Sequence, residues 1–180
     1  MRAEPEKIIC DFASPVCLDW YSVDDDVMGG MSGSYFRRNA DNTGSFCGVL
    51  SVENSGGFAS VRTFLVHRDF LDCTGIRLRV KGDGRQYSFR IRNDEKFDGI
   101  VYKQDFVTIK DEWTDVTLPF SGFKPAFRGR TLDDGTTLNR SNIVQIGILV
   151  SKKQTGAFCL VIDRISAVRS IEGFQSEGVC

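Results

Sequence analysis

The groups in this sequence that could do chemistry are few and unevenly spread. There is one histidine, His67, in Leu65-Val66-His67-Arg68-Asp69-Phe70. A Ser-His-Asp or Cys-His arrangement would have to use it. Nothing beside it resembles a nucleophile elbow or a catalytic cysteine signature, so a partly exposed strand histidine is the simpler reading. A multi-histidine metal site is impossible with one His. Gly82-Asp83-Gly84-Arg85 is not a dinucleotide fingerprint, because it joins two strand patterns rather than a strand to a helix. The expectation is a protein that is not an enzyme, with no catalytic residues, no cofactor and no metal.

Two polar clusters remain. Asp24, Asp25 and Asp26 form an acidic run inside Trp20 to Tyr35, WYSVDDDVMGGMSGSY. Arg128 and Arg130 flank Gly129 and offer two guanidinium forks able to clamp a carboxylate or phosphate. Gly29, Gly30 and Gly33 suit tight bends, and the aspartates can bond nearby backbone N–H groups. The stretch therefore reads as a structured loop between strands, with Val27 and Met28 tucked inward, and as either a binding site or a rigid corner. The candidate interaction residues are Trp20, Asp24, Asp25, Asp26, Met28, Gly29, Gly30, Arg128 and Arg130. The acids could meet Arg128 and Arg130, or contribute oxygens to a calcium ion. A third, weaker option is an enzyme with paired carboxylates such as Asp25 and Asp105.

Short strands must position these groups. Ile76, Leu78 and Val80 alternate with Arg77, Arg79 and Lys81, and Tyr87, Phe89 and Ile91 alternate with Ser88, Arg90 and Arg92. Period-two alternation sends the apolar set inward and the basic set outward. Gly82-Asp83-Gly84 reads as a hairpin turn. If the two strands pair, Arg77, Arg79, Arg90 and Arg92 share one surface, and facing like charges destabilise a sheet. Acids such as Asp105 or Asp115 would offset them, or an anionic partner would. Further strands are expected around Ile8 to Phe12, Phe46 to Glu53, Phe58 to Val66, Ile100 to Val107, Trp113 to Leu118, Ile143 to Val150 and Phe158 to Ile165. Residues 120 to 141 read as a long irregular loop, anchored by Phe120, Phe123 and Phe127. No long helix, repeat or low-complexity segment is evident.

Several segments resemble one family in order. Trp20 to Ser32, WYSVDDDVMGGMS, is similar to the signature W-x-x-V-N-D-x-V-M-G-G-V-S of the complex I intermediate-associated protein 30 family. Gly56 to Arg62 (GGFASVR), Gly75 to Tyr87, Leu118 to Phe120 with Phe123 and Phe127 to Arg130, Ile146-Gly147, and Lys152 to Phe158 resemble its later segments. This chain has Asp24 where the family has Asn. The resemblance covers roughly residues 12 to 168. It implies an all-β, jelly-roll-like sandwich of the galactose-binding-domain type, with few or no helices, spanning 8–168, followed by a tail at 169–180. It also implies a non-catalytic interaction module, an assembly factor or chaperone-like protein whose partners are proteins of an assembling complex. The alternative is a carbohydrate-binding module using Trp20, Tyr21, Tyr35 and Tyr102 with Asp105.

Composition bounds these readings. The chain has 180 residues, 41% hydrophobic and 26% charged, as in an ordinary folded domain. A net charge of −1 argues against a dedicated nucleic-acid binder. No stretch approaches the ~20 apolar residues of a membrane span. Met1 to Cys10 has no apolar segment of a signal peptide and is too acidic for a typical transit peptide. The expected location is cytoplasmic, or mitochondrial only if a presequence precedes this sequence. Six cysteines, at 10, 17, 47, 73, 159 and 180, lack zinc-site spacing and are expected to be reduced and mostly buried.

Overall fold

The computed structural model describes residues 6–14, 18–24, 33–51, 57–151 and 154–169. The expectations placed on Asp25, Asp26, Met28, Gly29, Gly30 and the tail beyond Arg169 lie outside the described residues. Two antiparallel sheets face each other. One has the order β3 (Gly33–Arg38), β4 (Gly44–Leu50), β13 (Gly156–Arg169), β6 (Cys73–Lys81), β9 (Trp113–Pro119), with β1 (Glu6–Asp11) also on β13. The other runs β11 (Arg130–Thr131), β10 (Lys124–Phe127), β8 (Val101–Val107), β7 (Gln86–Arg92), β12 (Gln145–Ser151), β5 (Phe58–Phe64), β2 (Tyr21–Ser22). Phe120–Gly122 forms a single 3₁₀ turn, and no α-helix occurs among the described residues. No helix there is long and apolar enough to cross a membrane. The all-β sandwich expected from the sequence is the fold.

The alternation explains the layers. Tyr87, Phe89 and Ile91 of β7 meet Ile146, Ile148 and Val150 of β12 on the inner side, all nearly inaccessible to solvent. Ile76, Leu78 and Val80 of β6 do the same for the six-stranded sheet beside Phe158, Leu160 and Ile162 of β13. Each such side chain contributes about 1.5–3 kcal/mol by leaving water. The long β13 changes parity part-way. Its pairing with β6 slips between Ile162 and Arg164, so the inward set shifts from Phe158, Leu160 and Ile162 to Ile165 and Ala167. The extra residue, Asp163, lets one strand serve β4 with its first half and β1 with its second.

The predicted hairpin of β6 and β7 is not formed. β6 belongs to the six-stranded sheet and β7 to the seven-stranded one, so Gly82-Asp83-Gly84 carries the chain from one layer to the other. Local turn chemistry cannot distinguish a hairpin from a crossing between layers. The crossing is latched by its own side chains. Asp83 Oδ2 accepts the Tyr87 hydroxyl at 3.0 Å and the Cys159 N–H at 2.9 Å. Arg85 donates to the carbonyls of Gln154, Thr155 and Ala157 at 2.5, 2.8 and 2.9 Å. A Cβ on Gly82 would lie 2.1 Å from Thr108 Cβ, so only glycine fits the crossing.

Two other expectations are corrected. Residues 120–141 are not wholly irregular, because β10 and β11 extend the sheet there. Phe120 and Phe123 anchor that stretch in the core, whereas Phe127 is partly exposed beneath the Arg128 guanidinium, 5.2 Å from the ring centre. The cysteines are not all reduced. Cys47 and Cys159 face each other in the β4–β13 register, with Cα atoms 4.1 Å apart, and form a disulfide. A separation of 112 residues hid that pairing in the sequence.

A basic row on the outer face of the seven-stranded sheet

Strand register, rather than any local motif, assembles the most unusual surface. Gly147 of β12 is paired with Arg62 of β5 on one side and Arg90 of β7 on the other. Arg62 is paired with Tyr21, Arg90 with Lys103, and Lys103 with Lys124. One row across the sheet therefore reads Tyr21, Arg62, Gly147, Arg90, Lys103, Lys124. The neighbouring row holds Phe64, Gln145 and Arg92. With strands about 4.8 Å apart, the Arg62 and Arg90 backbones stand ~10 Å apart with a bare glycine between them.

The arginines are held from one side only. Arg62 donates to the Phe97 carbonyl at 3.4 Å and lies 5.3 Å from the Phe97 ring centre. Arg92, itself buried, donates to the Gly99 carbonyl at 3.1 Å. Those partners sit in the β7–β8 connection, where Arg128 also grips Asp98 Oδ2 through Nε at 3.0 Å and Nη2 at 2.7 Å. Arg90 is different: its Nε is buried and has no hydrogen-bond partner. Among the described residues no carboxylate forms an ion pair with Arg62, Arg90 or Arg92. Asp105 stands one row away, opposite Ser88, and accepts from Gln86 Nε2 at 3.1 Å.

Burial, followed by the charges of Arg62 and Arg92, pushes the Arg90 guanidinium down to about 10. Arg62 is lowered by burial and by Arg92, and Arg92 is lowered by burial. All three stay protonated at neutral pH, so the depression reports chiefly what burial costs each cation, with mutual repulsion second at Arg62 and Arg90. Ser60, Arg62, Arg90, Arg92, Gln145 and Gly147 line a shallow pocket at this point. Gln145 donates to the Tyr21 hydroxyl at 2.7 Å, and Tyr21 stacks on Phe64 with ring centres 6.0 Å apart. Tyr21, Phe64 and Phe97 all remain substantially exposed.

The sequence-predicted residues fall elsewhere. Asp24 is buried: its carboxylate accepts the Ser34 N–H at 2.8 Å, the Ser34 hydroxyl at 2.6 Å and the Ser60 N–H at 3.4 Å. It ties β3 of one sheet to β5 of the other. Trp20 stacks on Phe36, ring centres 5.0 Å apart, with its buried Nε1 unpartnered. Arg128 and Arg130 lie around the β10–β11 turn, at the opposite edge of the sheet from β2. The structure therefore does not bring Arg128 and Arg130 to Trp20 or Asp24, the described residues among the candidates of that segment. Of the aromatics considered for sugar binding, Tyr102 is buried and donates to the Thr137 carbonyl at 3.0 Å, and Tyr35 lies in the other sheet. Tyr21 and Asp105 alone share the basic face. Arg77 and Arg79 project from the six-stranded sheet, not beside Arg90 and Arg92. Arg62, Lys103, Lys124 and Gly147 were missed as site residues. Arg62 stands in GGFASVR, yet only register sets it beside Arg90.

The fold is shared with the family 11 carbohydrate-binding module of a Clostridium thermocellum cellulosomal cellulase, with a TM-score of 0.71 at 19% identity over 96% of this chain and 99% of the module. A family 29 carbohydrate-binding module superposes with a TM-score of 0.55 at 11% identity, over 92% and 85% of the two chains. An uncharacterized Schizosaccharomyces pombe protein is 33% identical over 171 residues, 83% of this chain and 78% of that protein. Complex I intermediate-associated protein 30, mitochondrial, from Mus musculus is 26% identical over 189 residues, 90% of this chain but 56% of its own length. The Drosophila melanogaster protein of that name is 26% identical over 187 residues, 91% of this chain and 63% of its own. The chain thus spans less than two thirds of these last two relatives. Residues 10–162 match the model for complex I intermediate-associated protein 30, and the chain belongs to that family.

Proposed function

We propose that this chain is a non-catalytic protein-interaction module serving the assembly of a larger, respiratory complex, and that its partner docks on the outer face of the seven-stranded sheet. The observation that carries the reading is the basic row, where Arg62, Arg90, Lys103 and Lys124 stand in line without carboxylate partners. A predominantly basic face with aromatic flanks favours an acidic partner surface, speeding encounter and fixing its register. The names of the mouse and fly relatives support the complex I setting and a mitochondrial location. Arg128 and Arg130 stand at one edge of the same sheet and would border such a partner, whereas Trp20 packs inward on Phe36. The test is capture of partners from the source's own lysate by the tagged chain, beside a Lys103→Glu/Lys124→Glu version and an Arg79→Gln control. Loss of the same proteins in the first variant but not in the control supports the reading. An identical partner list in all three refutes it.

A second reading has its own support. Tyr21 stacked on Phe64, with exposed Phe97 nearby, offers flat aromatic surface of the kind a sugar ring uses. A glycan screen separates the two: saturable sugar binding lost in Tyr21→Ala favours carbohydrate, and its absence leaves the protein partner.

A further inference from the structure

We infer that Arg62, Arg90 and Arg92, with Gly147 as floor, form a binding site for a single phosphate-class dianion. The site stands on the arginine geometry alone and holds whether or not a protein docks over this face. Three observations converge on it. Register places Arg62 and Arg90 on either side of Gly147, leaving the strand position between two guanidiniums without a side chain. Arg62 and Arg92 are fixed by the Phe97 and Gly99 carbonyls, so both forks are oriented before any ligand arrives. The Arg90 Nε is buried with no acceptor, and a buried N–H that has lost water requires one.

Charge and shape select the ligand class. A carboxylate is satisfied by one guanidinium fork, which would leave two of these three cations uncompensated. A tetrahedral dianion presents three or more acceptor oxygens and two charges, so it can meet several forks at once. Gly147 keeps the space open. A Cβ there would lie 2.7 Å from the Val61 carbonyl oxygen and 3.3 Å from Arg62 Cγ, crowding that side chain. Asp105 is engaged by Gln86 and stands one row away, and Asp94 and Asp98 act on Arg92 without forming an ion pair with it. The phosphate could be a free small molecule or a group carried on a protein side chain; the chemistry recognised is the same.

Inorganic phosphate is the first probe, titrated into the whole chain against chloride at matched ionic strength. It should shift the arginine Nε–H cross-peaks of Arg62, Arg90 and Arg92 saturably and raise the melting temperature. Arg90→Met and Arg62→Met should each weaken that response about tenfold or more, whereas Arg79→Met on the opposite sheet should leave it intact. A phosphoserine peptide binding more tightly than inorganic phosphate through the same arginines assigns the group to a protein. Equal binding assigns it to a small molecule. A phosphate response no larger than that of chloride, or one that Arg90→Met and Arg62→Met leave unchanged, overturns the site. Should Arg90→Met be too unstable to assay, Arg90→Lys gives the same reading, since it keeps the charge and loses the planar fork. Phosphate binding together with a partner list indifferent to Lys103→Glu/Lys124→Glu would refute the docking reading and leave the site standing.

Discussion

The two outer faces of this sandwich carry similar numbers of basic groups and treat them in opposite ways. On the six-stranded sheet every arginine of the central strands has an acid. Arg77 pairs with Glu6 at 2.7 Å, Arg79 with Asp115 at 3.1 Å and Asp163 at 3.6 Å, Arg164 with Glu6 at 4.0 Å, and Arg169 with Asp72 at 3.0 Å. On the seven-stranded sheet Arg62, Arg90 and Arg92 face one another, with backbone carbonyls and an aromatic ring as their neighbours. The first face is an internally neutralised ladder, each exposed pair of which contributes at most about 1 kcal/mol. The second carries repulsion that Asp94, Asp98 and Asp105 offset only from a distance, none of them forming an ion pair with these arginines. Such an arrangement lowers stability, and positions that lower stability while keeping one geometry are where binding is to be sought. The lesson is that the number of cations says little; what distinguishes the faces is whether the chain supplies its own counter-charge.

Substitutions separate the two faces. The largest effect should be indifferent to face. Phe89 lies in the shared core, fully buried and edge-on to Phe123 with ring centres 6.2 Å apart, so Phe89→Ala should cost about 3–5 kcal/mol in urea unfolding. A loss below about 1 kcal/mol would mean that the faces are not backed by one packed layer. Asp24→Ala comes next. It leaves the Ser34 and Ser60 N–H groups without their acceptor where the two sheets are tied, and should cost about 2–3 kcal/mol. Unchanged melting would remove the corner from the account. Gly147→Ala should cost about 1–3 kcal/mol through its contact with the Val61 carbonyl. Its sharper readout is loss of anion binding while the ion pairs of the six-stranded sheet persist.

Much of this was open to a reader of the sequence, and the remainder was hidden for physical reasons. The alternation of β6 and β7 is written in Ile76 to Val80 and Tyr87 to Ile91, because burial on one side imposes period two. The pairing of those strands is not written there. Gly82-Asp83-Gly84 suits a hairpin as well as a crossing, and the deciding contacts, Arg85 with Gln154 to Ala157, come from some seventy residues away. That error put Arg77 and Arg79 beside Arg90 and Arg92 and mixed the neutralised face with the bare one. Asp115 was legible as one of the acids that could offset the arginines, and in the structure it pairs with Arg79. Arg62 was legible as a motif residue and not as a neighbour of Arg90, because their adjacency runs through Gly147 of a third strand. Asp24 was legible as one of two things, a corner or a contact. In the structure its carboxylate is engaged with Ser34 and Ser60.

One face is self-sufficient, and the other, on this proposal, is completed by an outside anion. Equilibrium urea unfolding of Arg77→Met and Arg90→Met, in chloride buffer free of phosphate, tests it most directly. Arg77→Met takes the closest cation from the largely buried Glu6 carboxylate, leaving it Arg164 and the Ser166 hydroxyl, and should lose about 1–2 kcal/mol. Arg90→Met keeps the apolar stem while removing a guanidinium repelled by Arg62 and Arg92, and should leave stability unchanged or raise it by up to about 1 kcal/mol. Opposite signs at the two positions are the predicted result. A loss at Arg90 as large as that at Arg77 would show that the fold already satisfies this arginine, and would contradict the account.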